Sequence, residues 1–157
     1  MKALTTIFAG FSFLAASVTF AAQTDEEVIA LVKETRSAIE RNADDTFRRI
    51  LKAEHPFKNR DNASLYVFIL DTGLNVVAHP IKPHTVGKNL KGKPDSKGKM
   101  FRDEILAKAL KNGNGWEDYY YLNPKTKIET HKKSYFELVR GSNGKEYIVG
   151  SGKYFDR

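Results

Sequence analysis

The residues able to do chemistry in this chain are four histidines, a set of tyrosines and many lysines. His55, His79, His84 and His131 are its imidazoles, and it has no cysteine. His79 and His84 stand five apart with prolines between them, a spacing that fits neither a helical nor a finger-type metal site. No Gly-x-Ser-x-Gly elbow is present, and the residue order contains no recognisable paired-acid motif. Without a thiol there is neither a thiolate nucleophile nor a cluster ligand. An enzyme, a metal centre or a bound cofactor is therefore not expected. The aromatics offer something else. Tyr66, Phe68, Trp116, Tyr119, Tyr121 and Tyr135 fall on or beside segments that read as strands of one sheet. Small-ligand pockets are mostly apolar with a few aimed polar groups. Lys132, on a neighbouring strand, adds a cation suited to a carboxylate. His79 precedes Pro80, and proline stops ladder pairing, so the imidazole is expected at the rim of such a pocket. Any one of these aromatics is more simply a core residue. Their combination with Lys132 and the His-Pro pair is what suggests a site.

The elements that must position these groups begin with a helix. Thr24 and Glu27 have the spacing of a capping box. Val28, Leu31, Val32, Thr35, Ile39, Ala43, Phe47, Ile50 and Leu51 then recur at helical intervals until His55-Pro56. This predicts one helix of roughly 30 residues, about 45 Å long. Its apolar stripe is not a strict heptad, so packing along a sheet is favoured, with a homodimer through the same helix left open. Next comes a hairpin. Leu65 to Asp71 is a run of strand-forming residues, Thr72-Gly73 turns, and Leu74 to Ala78 runs back.

Residues 81–99 form a long connection with six lysines (Lys82, Lys88, Lys91, Lys93, Lys97 and Lys99) and three glycines. Connections of this length often fold over a site, although such a charge run is more simply a solvated face. Phe101, Ile105, Ala109 and Leu110 mark a short amphipathic helix that leaves through Asn112-Gly113. Three strands follow, Trp116 to Leu122, Ile128 to Arg140 and Glu146 to Tyr154. Alternation puts Tyr119 and Tyr121 on one face and Tyr120 on the other, and separates Lys132 and Ser134 from Lys133 and Tyr135. Gly150 and Gly152 imply a bulge or a close backbone approach. Strands joined by tight turns, without intervening helices, exclude a doubly wound parallel sheet. The expected class is α+β, an antiparallel sheet of five to six strands with helices to one side, the long N-terminal helix packed on it.

Composition fixes the setting. The chain has 157 residues, one domain's worth, and a net charge of +7 that falls by one if Lys2 is removed. Lys2, the apolar stretch from Leu4 to Phe20 and the small residues Ala21 and Ala22 read as a signal peptide over residues 1–22. An uncleaved anchor is the alternative, since this stretch is near the lower limit for a span. The expected division is a leader (1–22), the long helix and its connection (23–60), and a sheet domain (61–157). A periplasmic or secreted protein results, for which nucleic acid is not an expected partner. The basic residues also lack the pattern of a nucleic-acid module. Asn62-Ala63-Ser64 matches a glycosylation sequon, a pattern too short to weigh much.

Seven short motifs in series resemble a known family. They are Tyr66-Val-Phe-Ile-Leu-Asp-Thr-Gly, Val77-Ala-His-Pro, Gly87-Lys-Asn-Leu, Asp95 to Phe101, the segment from Asn112 to Pro124, Lys132-Lys-Ser-Tyr, and Val149-Gly-Ser-Gly-Lys-Tyr. In order and spacing the chain is similar to the single Cache domain of the second type, a PAS-like extracytoplasmic sensor of bacterial chemoreceptors and histidine kinases. The resemblance implies a long N-terminal helix on an antiparallel sheet and a pocket for a small organic anion, such as acetate, propionate, lactate or pyruvate. It places His79, Tyr119, Tyr121, Lys132 and Tyr135 near that pocket, with Tyr66, Phe101 and Trp116 as walls. The family's Tyr-x-Trp pair reads Tyr119-x-Tyr121 here, which implies a differently shaped pocket. Receptors of this kind continue into a transmembrane helix, whereas this sequence ends at Arg157. The expectation is a stand-alone module that either signals through a membrane receptor or kinase partner or serves as a soluble binding protein. The alternative is a non-catalytic accessory or interaction subunit of a membrane receptor or redox complex.

Overall fold

The computed structural model describes residues 23–155, so the segment read as a leader lies outside the described residues. The first helix, α1 (Asp25–Arg41), starts where its capping box requires. Thr24 Oγ1 accepts the Glu27 amide at 3.2 Å, and Glu27 Oε2 accepts the Thr24 amide at 2.9 Å.

The single long helix expected from the apolar periodicity is in fact two. Asn42 leaves helical conformation (φ −157°, ψ 93°) and caps a second helix, α2 (Ala43–Leu51), by accepting the Asp45 amide. A turn distant in sequence completes the break. The Ser142 amide donates to the Ile39 carbonyl, and Ser142 Oγ accepts from the Ala43 amide at 2.9 Å. The apolar stripe continues across the break, because Val28, Leu31, Val32, Ile39, Ala43 and Ile50 all remain buried.

Five strands form one antiparallel sheet: β1 (Val67–Asp71), β2 (Val76–Ala78), β3 (Asn114–Leu122), β4 (Glu129–Arg140) and β5 (Glu146–Tyr154). Their order is β2-β1-β5-β4-β3, so the last strand in sequence lies at the centre, between β1 and β4. The hairpin joining β1 and β2 is less regular than its sequence suggests. Leu74 takes a left-handed conformation (φ 62°), the register shifts between Ile69 and Leu70, and Asp71 Oδ1 accepts the amides of Gly73 and Asn75.

Helices cover both faces of the sheet, not one. On one face α1 and α2 pack on Val67, Ile69, Val139, Tyr147 and Val149. On the other, the third helix, α3 (Phe101–Asn112), packs with Phe101, Ile105 and Ala109 on Tyr119, Phe136 and Ile148. Period-two alternation sorts each strand's residues between the two layers. α3 ends on Gly113 in the left-handed conformation (φ 79°), as Asn112-Gly113 implies.

The lysine-rich connection is pinned down on the α3 side. Its Gly87–Leu90 portion runs beside β2, with Gly87 and Leu90 amides bonded to the Val76 and Leu74 carbonyls. Asp95 anchors the remainder, its Oδ2 accepting the Tyr120 amide and its Oδ1 the amides of Lys97 and Lys99. The connection therefore acts as a roof held to both sheet edges.

Candidate functional site

Between α3, this roof and the sheet lies a cavity of about 220 Å³, lined by Tyr66, Phe68, Leu70, Val76, His79, Lys82, Thr85, Leu90, Phe101, Arg102, Ile105, Tyr119, Tyr121 and Lys132. Its floor comes from even-numbered residues of β1 and β4 and odd-numbered residues of β3, the side-chain set that faces away from α1.

Lys132 is the floor's cation. Only 1% of it is exposed, and it has no carboxylate partner among the described residues. Two β5 glycines make room beneath the cavity. A Cβ on Gly152 would collide with Ser134 Oγ and meet Lys132 Cε at 2.9 Å, and one on Gly150 would collide with the Phe68 ring. The β4–β5 register is continuous past both, so close approach, not a bulge, explains them.

A directed set of hydrogen bonds holds the Lys132 ammonium. The Tyr154 hydroxyl donates to the Leu122 carbonyl at 3.1 Å, which commits its single proton. At the 2.7 Å contact between the two hydroxyls, Tyr66 is then the donor to Tyr154. Lys132 Nζ in turn donates to Tyr66 Oη at 3.1 Å. Tyr66 is consumed by this chain, and two of the three ammonium protons remain for another acceptor. Aromatic faces surround them. Nζ lies 4.3, 4.9, 5.5 and 5.8 Å from the ring centres of Tyr66, Tyr154, Tyr121 and Phe68. Burial, reinforced by the charges of Lys82 and Arg102, lowers the Lys132 pKa to about 7.

His79 stands beside this group, its ring centre 5.3 Å from that of Tyr66. It is 7% exposed, a wall residue more than a rim residue. Nδ1 accepts the amides of Ile81 and Lys82, both at 3.2 Å, which places the ring proton on Nε2. Burial foremost, then the nearby cations Lys132, Lys82 and Arg102, pushes its pKa down to about 3. The imidazole is thus a neutral donor.

The aromatic walls are rigid. Phe101 stacks on Tyr119 at 3.8 Å and 7°, and Tyr121 meets both edge-on. The Tyr119 hydroxyl is engaged with Ser134 Oγ at 2.8 Å, and burial raises its pKa. Two further cations approach Tyr121. Lys82 Nζ, from the roof, lies 4.1 Å from its ring centre, and Arg102 Cζ, from α3, lies at 6.0 Å and only 4.1 Å from that of Phe101. The buried acid of β3 does not offset them. Glu117 is bonded to Lys99 and Lys108; burial opposes its ionisation, but these bonds outweigh it and hold its carboxyl below the ordinary value.

Seven of the nine residues singled out from sequence therefore line one cavity: Tyr66, Phe68, His79, Phe101, Tyr119, Tyr121 and Lys132. Trp116 and Tyr135 do not. They pair across β3 and β4 on the opposite face, 5.2 Å apart, against the α1 layer. There Lys133 lies over the Trp116 ring, and Tyr135 donates to Glu137, which Arg36 of α1 also binds. Strand alternation already separates Tyr135 from Lys132. Sequence reasoning did not single out Lys82, Arg102 and Tyr154. Tyr154 was reachable, since it stands two residues beyond Gly152 and registers with Lys132. Lys82 stands out in the sequence only as one of six lysines in the long connection, and Arg102 carries no comparable signal.

The antiparallel 2-1-5-4-3 sheet with helices on both faces is a fold with known counterparts. The family model described as Cache domain (dCache_2) matches residues 16–157. The chain belongs to the Cache domain family. Among solved structures, a periplasmic sensor domain of a chemotaxis protein is similar at 29% identity and a TM-score of 0.62, over 83% of this chain and 90% of that one. A methyl-accepting chemotaxis protein from Vibrio parahaemolyticus shares the fold at 23% identity and a TM-score of 0.66, over 83% and 88% of the two chains. So does a Cache chemosensory domain whose structure concerns carboxylic acid recognition, at 23% identity and a TM-score of 0.66, over 83% and 92%. This Cache domain shares its fold with these structures and lines its own pocket with Lys82, Arg102 and Lys132.

Proposed function

We propose that this Cache domain is an extracytoplasmic, non-catalytic binding module for a small organic anion, whose carboxylate is received by Lys132. The observation that carries the reading is a buried ammonium, facing an apolar cavity, with one hydrogen bond to Tyr66 and no carboxylate partner among the described residues. Leaving a charge in that state is costly, and an anionic ligand would relieve the cost. The cavity is smaller than the ~300–1,000 Å³ of drug-sized sites, which suits a short acid. His79, with its proton on Nε2, is a second donor, while the fixed aromatic walls exclude water and set ligand length. Membership of a family that includes periplasmic sensor domains of chemotaxis proteins supports a sensory role outside the cytoplasm, with a membrane receptor or kinase as the recipient of the signal.

A thermal-shift screen of two- to four-carbon carboxylates, with amines and amino acids as controls, tests the reading. The expected result is a rise in melting temperature for acids alone, lost in Lys132→Met. A flat response across all classes overturns it.

A further inference from the structure

Resting on the anion-binding reading, we infer that the preferred ligand carries two carboxylates, one on Lys132 and the other held between Lys82 and Arg102. Three cations from three different elements meet around the Tyr121 ring: Lys132 from β4 at 5.5 Å, Lys82 from the roof at 4.1 Å and Arg102 from α3 at 6.0 Å. All three line the cavity, and no acidic side chain does. Neither Lys82 nor Arg102 forms an ion pair among the described residues; the polar partner of Arg102 is the Lys93 carbonyl, at 3.3 Å. A single carboxylate on Lys132 would leave both of these half-buried cations facing an apolar space without a counter-charge. A second anionic group removes that imbalance.

The geometry also limits ligand length. Lys132 Nζ and Lys82 Nζ cannot be further apart than the sum of their distances to the Tyr121 ring centre. With each oxygen on the line between the two nitrogens, about 2.8 Å from its donor, at most roughly 4 Å separates the two bound oxygens. In that in-line arrangement a three- or four-carbon diacid fits directly, whereas a longer one would have to fold. A short diacid also suits a cavity of about 220 Å³. Phe101, Tyr119 and Tyr121 would flank the chain between its two ends.

Isothermal titration of the protein with malonate and succinate, against propionate, butyrate and glutarate, tests this inference. The expected result is binding of malonate or succinate about ten- to a hundredfold tighter than the monoacid of equal carbon number, the worth of one added charge-assisted contact. Glutarate should be weaker than succinate, and Lys82→Met with Arg102→Met should collapse the diacid-to-monoacid ratio toward one. Monoacids that bind as tightly as diacids overturn this inference while leaving the anion-binding reading intact. Failure of every acid to bind overturns both.

Discussion

Lys132 Nζ donates to Tyr66 Oη at 3.1 Å while lying 4.3 Å from the centre of the same ring. Tyr66 passes its own proton on to Tyr154, so the lysine meets an oxygen that can only accept. This one bond fixes where the ammonium points. It also leaves that ammonium without the counter-charge a structural buried lysine usually has.

The cost of that arrangement should be measurable. Lys132→Met keeps the length of the side chain and removes its charge. In ligand-free protein at pH 6 it should raise stability by roughly 1–3 kcal/mol, about 2–10 °C in melting temperature. The same variant should lose binding of every acid. Scanning calorimetry of both proteins checks the first half, and a destabilised Met variant would show that the lysine holds the fold together.

The depressed lysine pKa gives a signed dependence on pH. Lys132 titrates near 7 in the folded domain and at its ordinary value of 10.5 when unfolded, so between these values the unfolded chain binds more protons. Stability of the ligand-free domain should therefore rise from pH 7 toward pH 10 through this group, and the full penalty should be felt below pH 7. Ligand binding reverses the preference by favouring the charged amine. Above pH 7 each acid bound should take up close to one proton, and affinity should fall roughly tenfold per pH unit. Titration calorimetry in buffers of different ionisation enthalpy reads the proton directly; zero uptake at pH 8 contradicts the assignment.

His79 adds an acid limb of the same origin at lower pH. Its folded pKa of about 3 lies below the ordinary 6.5, so protonation is disfavoured in the fold and stability should fall as pH drops from 6.5 toward 3. A His79→Gln variant, which cannot take up this proton, should show a shallower loss over that range in acid-induced unfolding.

How much of this was legible beforehand follows from what each feature depends on. The strands, α3 and the lysine-rich roof are local patterns, and alternation placed Lys132, Tyr119 and Tyr121 on their faces. Gly150 and Gly152 announced a bulge or a close approach, and the structure shows the latter, with the Phe68 ring and the Lys132 chain as the approaching groups. The split of the first helix was not legible, because it depends on Ser142, a hundred residues away, bonding both sides of Asn42. Covering of both faces was missed for the same reason, since nothing local to residues 101–112 says which layer they join. Trp116 and Tyr135 entered the expected site with the other strand aromatics and through family resemblance, against the alternation of their own strands.

Their position yields a discriminating comparison. Trp116→Phe and Tyr135→Phe alter the layer that faces α1 and should leave acid affinity unchanged. Tyr121→Leu removes the ring that Lys82, Arg102 and Lys132 share and should weaken it. Gly152→Ala should do more: overpacking against Ser134 and Lys132 should cost roughly 1–3 kcal/mol and displace the ammonium. Paired melting and binding curves for the four variants separate these outcomes.

The most direct measurement is the titration of the Lys132 amine itself, followed by heteronuclear NMR of its side-chain nitrogen with and without succinate. The account predicts a midpoint near pH 7 in the free domain, moving upward by more than a unit when the acid is bound. A midpoint near the ordinary lysine value in both states, unmoved by any acid, would contradict it.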